Sequence, residues 1–135
     1  MIVDSSAIVA IVLDEPPADA MILALQEGGP WRMSVANILE TWMVVDRRNI
    51  PEASKLMEEV FARFGIIPEP LTHEHVTIAR DAFRVYGKGS GHKAQLNFGD
   101  CIAYGLAKSM NEPLLFIGND FIHTDLVPAL ASASE

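Results

Sequence analysis

The chain has 135 residues, half of them apolar, and a formal charge of −8. This describes one domain over residues 1–135 with enough apolar mass for a core, and it excludes a disordered chain. The acidic balance argues against electrostatic binding of nucleic acid over the whole surface, and the single cysteine, Cys101, excludes an intrachain disulfide framework and fits a reducing cytoplasm.

Ile2-Val3 reads as a short buried strand. Ser5 or Ser6 is expected to cap a helix over Ala7 to about Leu13, which stops before Pro16-Pro17. Met21, Ile22 and Leu25 recur at helical spacing, and Gly28-Gly29-Pro30 ends that helix. The apolar stretch Ala7 to Leu13 is too short to span a bilayer, and no basic segment precedes it, so no targeting signal is expected. Trp31 to Ser34 reads as a second strand, and Val35 to Arg48 as a helix with Ile38, Leu39, Trp42, Val44 and Val45 on its apolar side. Pro51 opens a further helix through Phe64. Ile66-Ile67, bracketed by Gly65 and Pro68, is a third strand.

Thr72 is placed to cap a helix that runs to about Tyr86, followed by the loop Gly87-Lys88-Gly89-Ser90-Gly91. Asn97 or Gly99 starts the next helix, and Leu114 to Ile117 is a fourth strand. Asp125 to Leu130 is a candidate short edge strand. Strand and helix alternate, which predicts βαβ units and a mostly parallel sheet of four or five strands.

Four acids stand where apolar strand-like runs end or helices begin: Asp4, Glu40, Asp100 and Asp120. In an open α/β sheet, ligands bind beyond the carboxyl ends of the strands. Carboxylates gathered there repel one another unless a cation neutralises them. Each has an ordinary structural explanation too. Asp4 is placed to cap a helix, although Ser5 and Ser6 would leave it free. Glu40 is either an exposed helix residue or a functional one, with Asn37 a turn back on the same face. Asp100 suits a helix N-terminus, while Phe98 and Cys101-Ile102-Ala103 point to a helix start packed in the interior, where a carboxylate needs a partner. Asp120 fits turn chemistry in Gly118-Asn119-Asp120, and Asp125 competes for its role. Together they predict a divalent-metal site, and oxygen-rich ligation without histidine selects Mg²⁺ or Mn²⁺ over zinc. Cutting a phosphodiester is the use such a site fits best.

At Met1-Ile2-Val3-Asp4-Ser5-Ser6-Ala7, Asn37-Ile38-Leu39-Glu40, Leu96-Asn97-Phe98-Gly99-Asp100-Cys101 and Gly118-Asn119-Asp120-Phe121, the chain resembles the PIN-domain family, and within it the VapC-type ribonuclease toxins of bacterial toxin–antitoxin pairs. The resemblance covers nearly the whole chain and implies a three-layer α/β/α fold, commonly dimeric. It implies that Asp4, Glu40 and Asp100 are metal-binding and catalytic. The fourth acid is assigned to Asp120, although the family often has an acid where this chain has Asn119. Ser6 matches the family's hydroxyl residue near the first acid, and Asn37 supports the site. The resemblance further implies dependence on Mg²⁺ or Mn²⁺, an RNA substrate and a small antitoxin as partner.

Arg80, Arg84, Lys88 and His92 recur at four-residue intervals, but the glycines after Tyr86 must break that stripe. Arg80, Arg84, Lys88 and Lys93 are candidate RNA contacts, with Arg47 and Arg48 a second basic cluster. His73 and His75 are read as surface or capping residues, and Trp31 and Trp42 as core and dimer packing. Two rivals stand beside the nuclease: a receiver-like phospho-accepting module, and a catalytically silent PIN-like binding domain. The receiver expects a paired acid after the first strand and a lysine after the last, and this chain offers neither.

Overall fold

Pairing in the core follows the two-residue period of extended chain. In the computed structural model, which describes residues 1–130, β1 (Ile2–Val3) lies between β2 (Arg32–Ser34) and β4 (Leu114–Leu115), and β3 (Ile67–Glu69) pairs outside β2. All pairings are parallel, in the order β3-β2-β1-β4. Val3 and Leu115 face one core with Met33, and Ile2 and Leu114 face the other with Phe116.

Helices α1 (Ser5–Val12), α2 (Ala18–Glu27), α3 (Val35–Arg47) and α4 (Pro51–Phe64) contribute to the first core, and α5 (His73–Tyr86) and α6 (Phe98–Met110) cover the second. The result is the expected three-layer α/β/α arrangement with a four-stranded sheet. Crossovers from β1 to β3 use one face and the return to β4 uses the other. The chain therefore changes direction at β1 and β4, and a crevice opens beyond their carboxyl ends.

Local chemistry sets the boundaries. Pro51 begins α4, and Gly65, at φ 60°, ends it in the left-handed region. Thr72 and His75 form a capping box on α5, and Asn97 and Asp100 form one on α6. Several strand boundaries differ from the sequence reading: β2 begins at Arg32 instead of Trp31, β4 ends at Leu115 instead of Ile117, and β3 is shifted to Ile67–Glu69. β3 continues through Pro68 because it is an edge strand, where a missing N–H costs little. The segment after Asp125 forms a single parallel bridge, Leu114 to Pro128, instead of a fifth strand.

Candidate active site

Asp4 leaves β1 buried and turns at once into α1. It is itself the N-cap: the Ser6 backbone N–H and hydroxyl both donate to Oδ2, at 3.0 and 2.6 Å. This corrects the expectation that Ser5 or Ser6 would cap the helix and leave Asp4 free. Ser6 in turn accepts the Ile117 N–H at 3.0 Å, tying Asp4 to the end of β4. One carboxylate oxygen, Oδ2, is thus anchored by Ser6.

Glu40 arrives from the second turn of α3. Its Oε1 accepts the Ser5 hydroxyl at 2.9 Å and, more weakly, the Asn37 amide at 3.4 Å. The same Asn37 Nδ2 donates to the Gly99 carbonyl at 3.1 Å, linking α3 to the first turn of α6. Asp100 lies in that turn, its Oδ2 accepting the Asn97 N–H at 3.0 Å while Asn97 Oδ1 accepts the Asp100 N–H. Phe98 does not pack inside as expected. It is 80% exposed, while Cys101, Ile102 and Ala103 behind it are buried, so the helix start straddles the surface. Asp120 is exposed at the entry to a 3₁₀ turn (Phe121–His123), with no side-chain cap bond.

The acids sense one another. Burial, opposed by the Asn97 backbone, pushes the Asp100 carboxyl from the ordinary 3.8 up to about 7, with Asp4, Asp120 and Glu40 adding to the rise. Burial also raises Asp4, with its bonds to Ser6 opposing and Glu40 reinforcing. Among the described residues the ion pairs are Met1–Glu112, Arg32–Glu69 and Lys108–Asp125, so no basic side chain offsets this cluster. A group of acids that is all oxygen, mutually repelling and without a cation has the chemistry of a site for a hard divalent ion. Among the described residues no three His, Cys, Asp or Glu side chains stand in metal-ligating geometry, so an ion held here would need side-chain adjustment. The exposed Asp120 has the freedom to provide it.

The PIN domain family model matches residues 1–126. The chain belongs to the PIN-domain family. Ribonuclease VapC42 of Mycobacterium tuberculosis is 46% identical over 129 residues, covering 96% of this chain and 98% of that protein. Ribonuclease VapC28 of the same organism is 45% identical over 130 residues, with the same coverage. The crystal structure of M. tuberculosis VapC20, described as a sarcin–ricin loop cleaving toxin, superposes with a TM-score of 0.73 at 16% identity, over 93% of this chain and 95% of that one. That likeness shows the fold, and the family match, over residues 1–126, sets aside the receiver-like alternative.

Within this PIN domain, Asp125 stands apart from the site. The Tyr104 hydroxyl donates to it at 2.6 Å and Lys108 pairs with it at 3.0 Å, so Asp120 is the one that Asp100 senses. Arg80, Arg84, Lys88 and Lys93 are all exposed, and α5 ends at Tyr86 before the glycine loop, as expected. Arg80 edges an apolar groove of about 440 Å³ beside Phe98, and Arg47 edges one of about 560 Å³ that includes Glu40 and Gly99. His73 is exposed, and His75 is buried as the capping partner of Thr72. Trp31 is in the core, donating to the Leu25 carbonyl, and Trp42 packs against the same core. Sequence reasoning missed Ser5, Asn97 and Gly99 as supports of the acids. The Asn97-x-x-Asp100 spacing of a capping box was the one available signal.

Among the described residues, no helix is long and apolar enough to cross a membrane.

Proposed function

We propose that the chain is the toxin of a toxin–antitoxin pair, an endoribonuclease dependent on Mg²⁺ or Mn²⁺. Asp4, Glu40, Asp100 and Asp120 are its metal-binding and catalytic residues. The observation that carries this reading is that Glu40 lies against Gly99, next to Asp100, and is held by Ser5, next to Asp4, while burial, with Asp4, Asp120 and Glu40 adding to it, pushes the Asp100 carboxyl up to about 7 and no ion pair among the described residues offsets it. The relatives' names as VapC ribonucleases support the substrate class.

Asp4 and Asp100 would hold the ion, with Asp120 closing on it from the exposed turn and Glu40 as a further ligand or as the base that orients water. When bound, such an ion supplies an activated water and neutralises charge on the phosphate. The chain's own contribution is positional. Ser6 anchors Asp4 Oδ2, and Asn97 fixes Asp100. Ser5 holds Glu40 by a hydrogen bond to Oε1, so that it would orient a water for attack on the phosphodiester.

RNA reaches an acidic molecule through local cations. Arg47 and Arg80 stand at the edges of the two grooves, and the exposed Arg84, Lys88 and Lys93 are the further RNA-contact candidates. The exposed apolar residues Leu39, Met43 and Phe98 on neighbouring parts of α3 and α6 support contact with protein, as a homodimer and with a small antitoxin.

The test is cleavage of a mixed RNA substrate with Mn²⁺, with and without chelator. Wild type is expected to cleave only with the ion, and Asp4→Asn to lose cleavage with its fold intact. Asparagine is chosen because it retains the N-cap, whereas alanine would also cost about 1 kcal/mol of helix capping. Cleavage that survives chelation, or persists in Asp4→Asn, overturns the assignment. A wild type that neither binds Mn²⁺ nor cuts RNA favours a silent binding domain.

A further inference from the structure

Glu40 is the acid whose position depends most on neighbours outside the acidic set, and those neighbours form one connected unit. Gly99 lies in the first turn of α6, among Gly99-Asp100-Cys101, and is buried. Its backbone is not in the left-handed region that calls for glycine. Alanine would be the better helix former there, so local conformation does not explain the residue. Packing does. A methyl group built on Gly99 would stand 2.3 Å from Glu40 Oε2, 2.6 Å from Oε1 and 2.8 Å from Cδ. The Glu40 carboxylate therefore lies flat against the bare Cα of Gly99.

Asn37 closes the arrangement from α3. It is 1% exposed, and its Nδ2 donates both to the Gly99 carbonyl and towards Glu40 Oε1. Two acceptors on that side fix the amide orientation, since the flipped amide would set Oδ1 against both oxygens. Oδ1 itself has no hydrogen-bond partner among the described residues. Ser5 adds the third contact, its hydroxyl shared between Glu40 Oε1 and the Asn37 carbonyl, at 2.9 and 3.3 Å. Thr41 donates to that same carbonyl at 2.7 Å and ties the helix turn behind it.

We propose that Gly99, Asn37 and Ser5 form a seat for the Glu40 carboxylate, and that Gly99 and Asn37 are positioning residues for the nuclease reaction. The seat joins α1, α3 and α6, the same elements that present Asp4 and Asp100, so the placement of Glu40 is coupled to theirs. As a role in the reaction, this rests on the ribonuclease reading. As a packing arrangement it stands without that reading, and the two are tested separately.

The first test is a thermal-melting cycle on metal-free protein with Gly99→Ala, Glu40→Ala and the double variant. The seat predicts that Gly99→Ala lowers the Tm in the native background, or raises it less than in the Glu40→Ala background, because the methyl must push the carboxylate off Ser5 and Asn37. In the Glu40→Ala background it is expected to leave the Tm unchanged or raise it, because the clash has gone and alanine favours the helix. Equal shifts in the two backgrounds would overturn the seat. The second test is RNA cleavage by Asn37→Asp, close to isosteric, with a carboxylate replacing the donor amide. A kcat lower by roughly 10–100-fold is expected, the magnitude seen when outer-shell supports are lost, with KM little changed and Mn²⁺ affinity by calorimetry lowered. Unchanged kcat and Mn²⁺ affinity in Asn37→Asp, alongside an active wild type, would overturn the positioning role. An inactive wild type would instead defeat the ribonuclease reading, and the melting cycle would still decide the seat.

Discussion

Two aspartates are associated with the same helix and have opposite fates. Asp100, in the first turn of α6, is half-buried among Asp4, Glu40 and Asp120, and its carboxyl is pushed up to about 7. Asp125 packs beside the later turns of α6. Its slight burial would raise its pKa, but the Tyr104 hydroxyl and Lys108 overcome this and hold it below the usual carboxylate range. The second is what folding alone makes of an acid near a surface: a hydroxyl and an ammonium ion are recruited to satisfy it. The first is left in a crevice with like charges, a cost that stability alone does not explain. On the proposed reading, the difference separates an acid that staples the fold from one held ready for a ligand.

The largest expected effect comes from removing the charge on each side of that comparison. Asp100→Asn is expected to bring Mn²⁺-dependent RNA cleavage below detection, whereas Asp125→Asn leaves it at the wild-type level. Comparable losses in both would erase the functional distinction. A sharper intervention is Asp120→Lys, which supplies Asp100 with the cation that Asp125 already has. The Asp100 carboxyl should then titrate at a lower pH than in the wild type in a ¹³C NMR experiment, although burial still holds it up, and Mn²⁺ affinity should fall. An unmoved titration would mean that Asp120 lies out of electrostatic reach of Asp100.

The metal-free protein should also carry the strain of the crevice as a pH dependence. Because the Asp100 carboxyl titrates at about 7 in the fold against 3.8 ordinarily, the folded state holds the extra proton between those values. Its contribution to stability is therefore present in full below about pH 4 and lost as the pH rises through about 7. Chemical denaturation across that window should show the decline, and Asp100→Asn should flatten it. A profile with the same slope in both proteins would contradict the assignment. The smallest effect is the staple itself. Lys108 and Asp125 are 40% and 51% exposed, so Asp125→Asn should cost no more than about 1 kcal/mol and lower the Tm by a few degrees.

Much of the fold is legible in the chain itself. The alternation of short apolar runs with helical periodicity gave the parallel layers, and the acids at run ends stand at the carboxyl edge of the sheet, where the proposed site lies. What escaped were contacts between residues far apart in sequence. Nothing local reveals that Glu40 would lie on Gly99, or that Ser5 would reach across to α3. Asp4 was misjudged because two serines beside it were equally plausible caps, and the choice depended on Ser6 turning back to meet Ile117. Phe98 was placed inside because its neighbours are apolar. Yet the first residue of a helix faces wherever the preceding loop delivers it, and here that is solvent. Asp120 and Asp125 could not be separated without knowing that Lys108 sits beside the latter.

Isothermal titration of Mn²⁺ into the metal-free protein near neutral pH addresses the centre of the account. Saturable binding by the wild type, lost in both Asp4→Asn and Asp100→Asn and retained in Asp125→Asn, is the expected result. Undiminished binding by the Asp4 and Asp100 variants would show that the crevice is not where the ion is held.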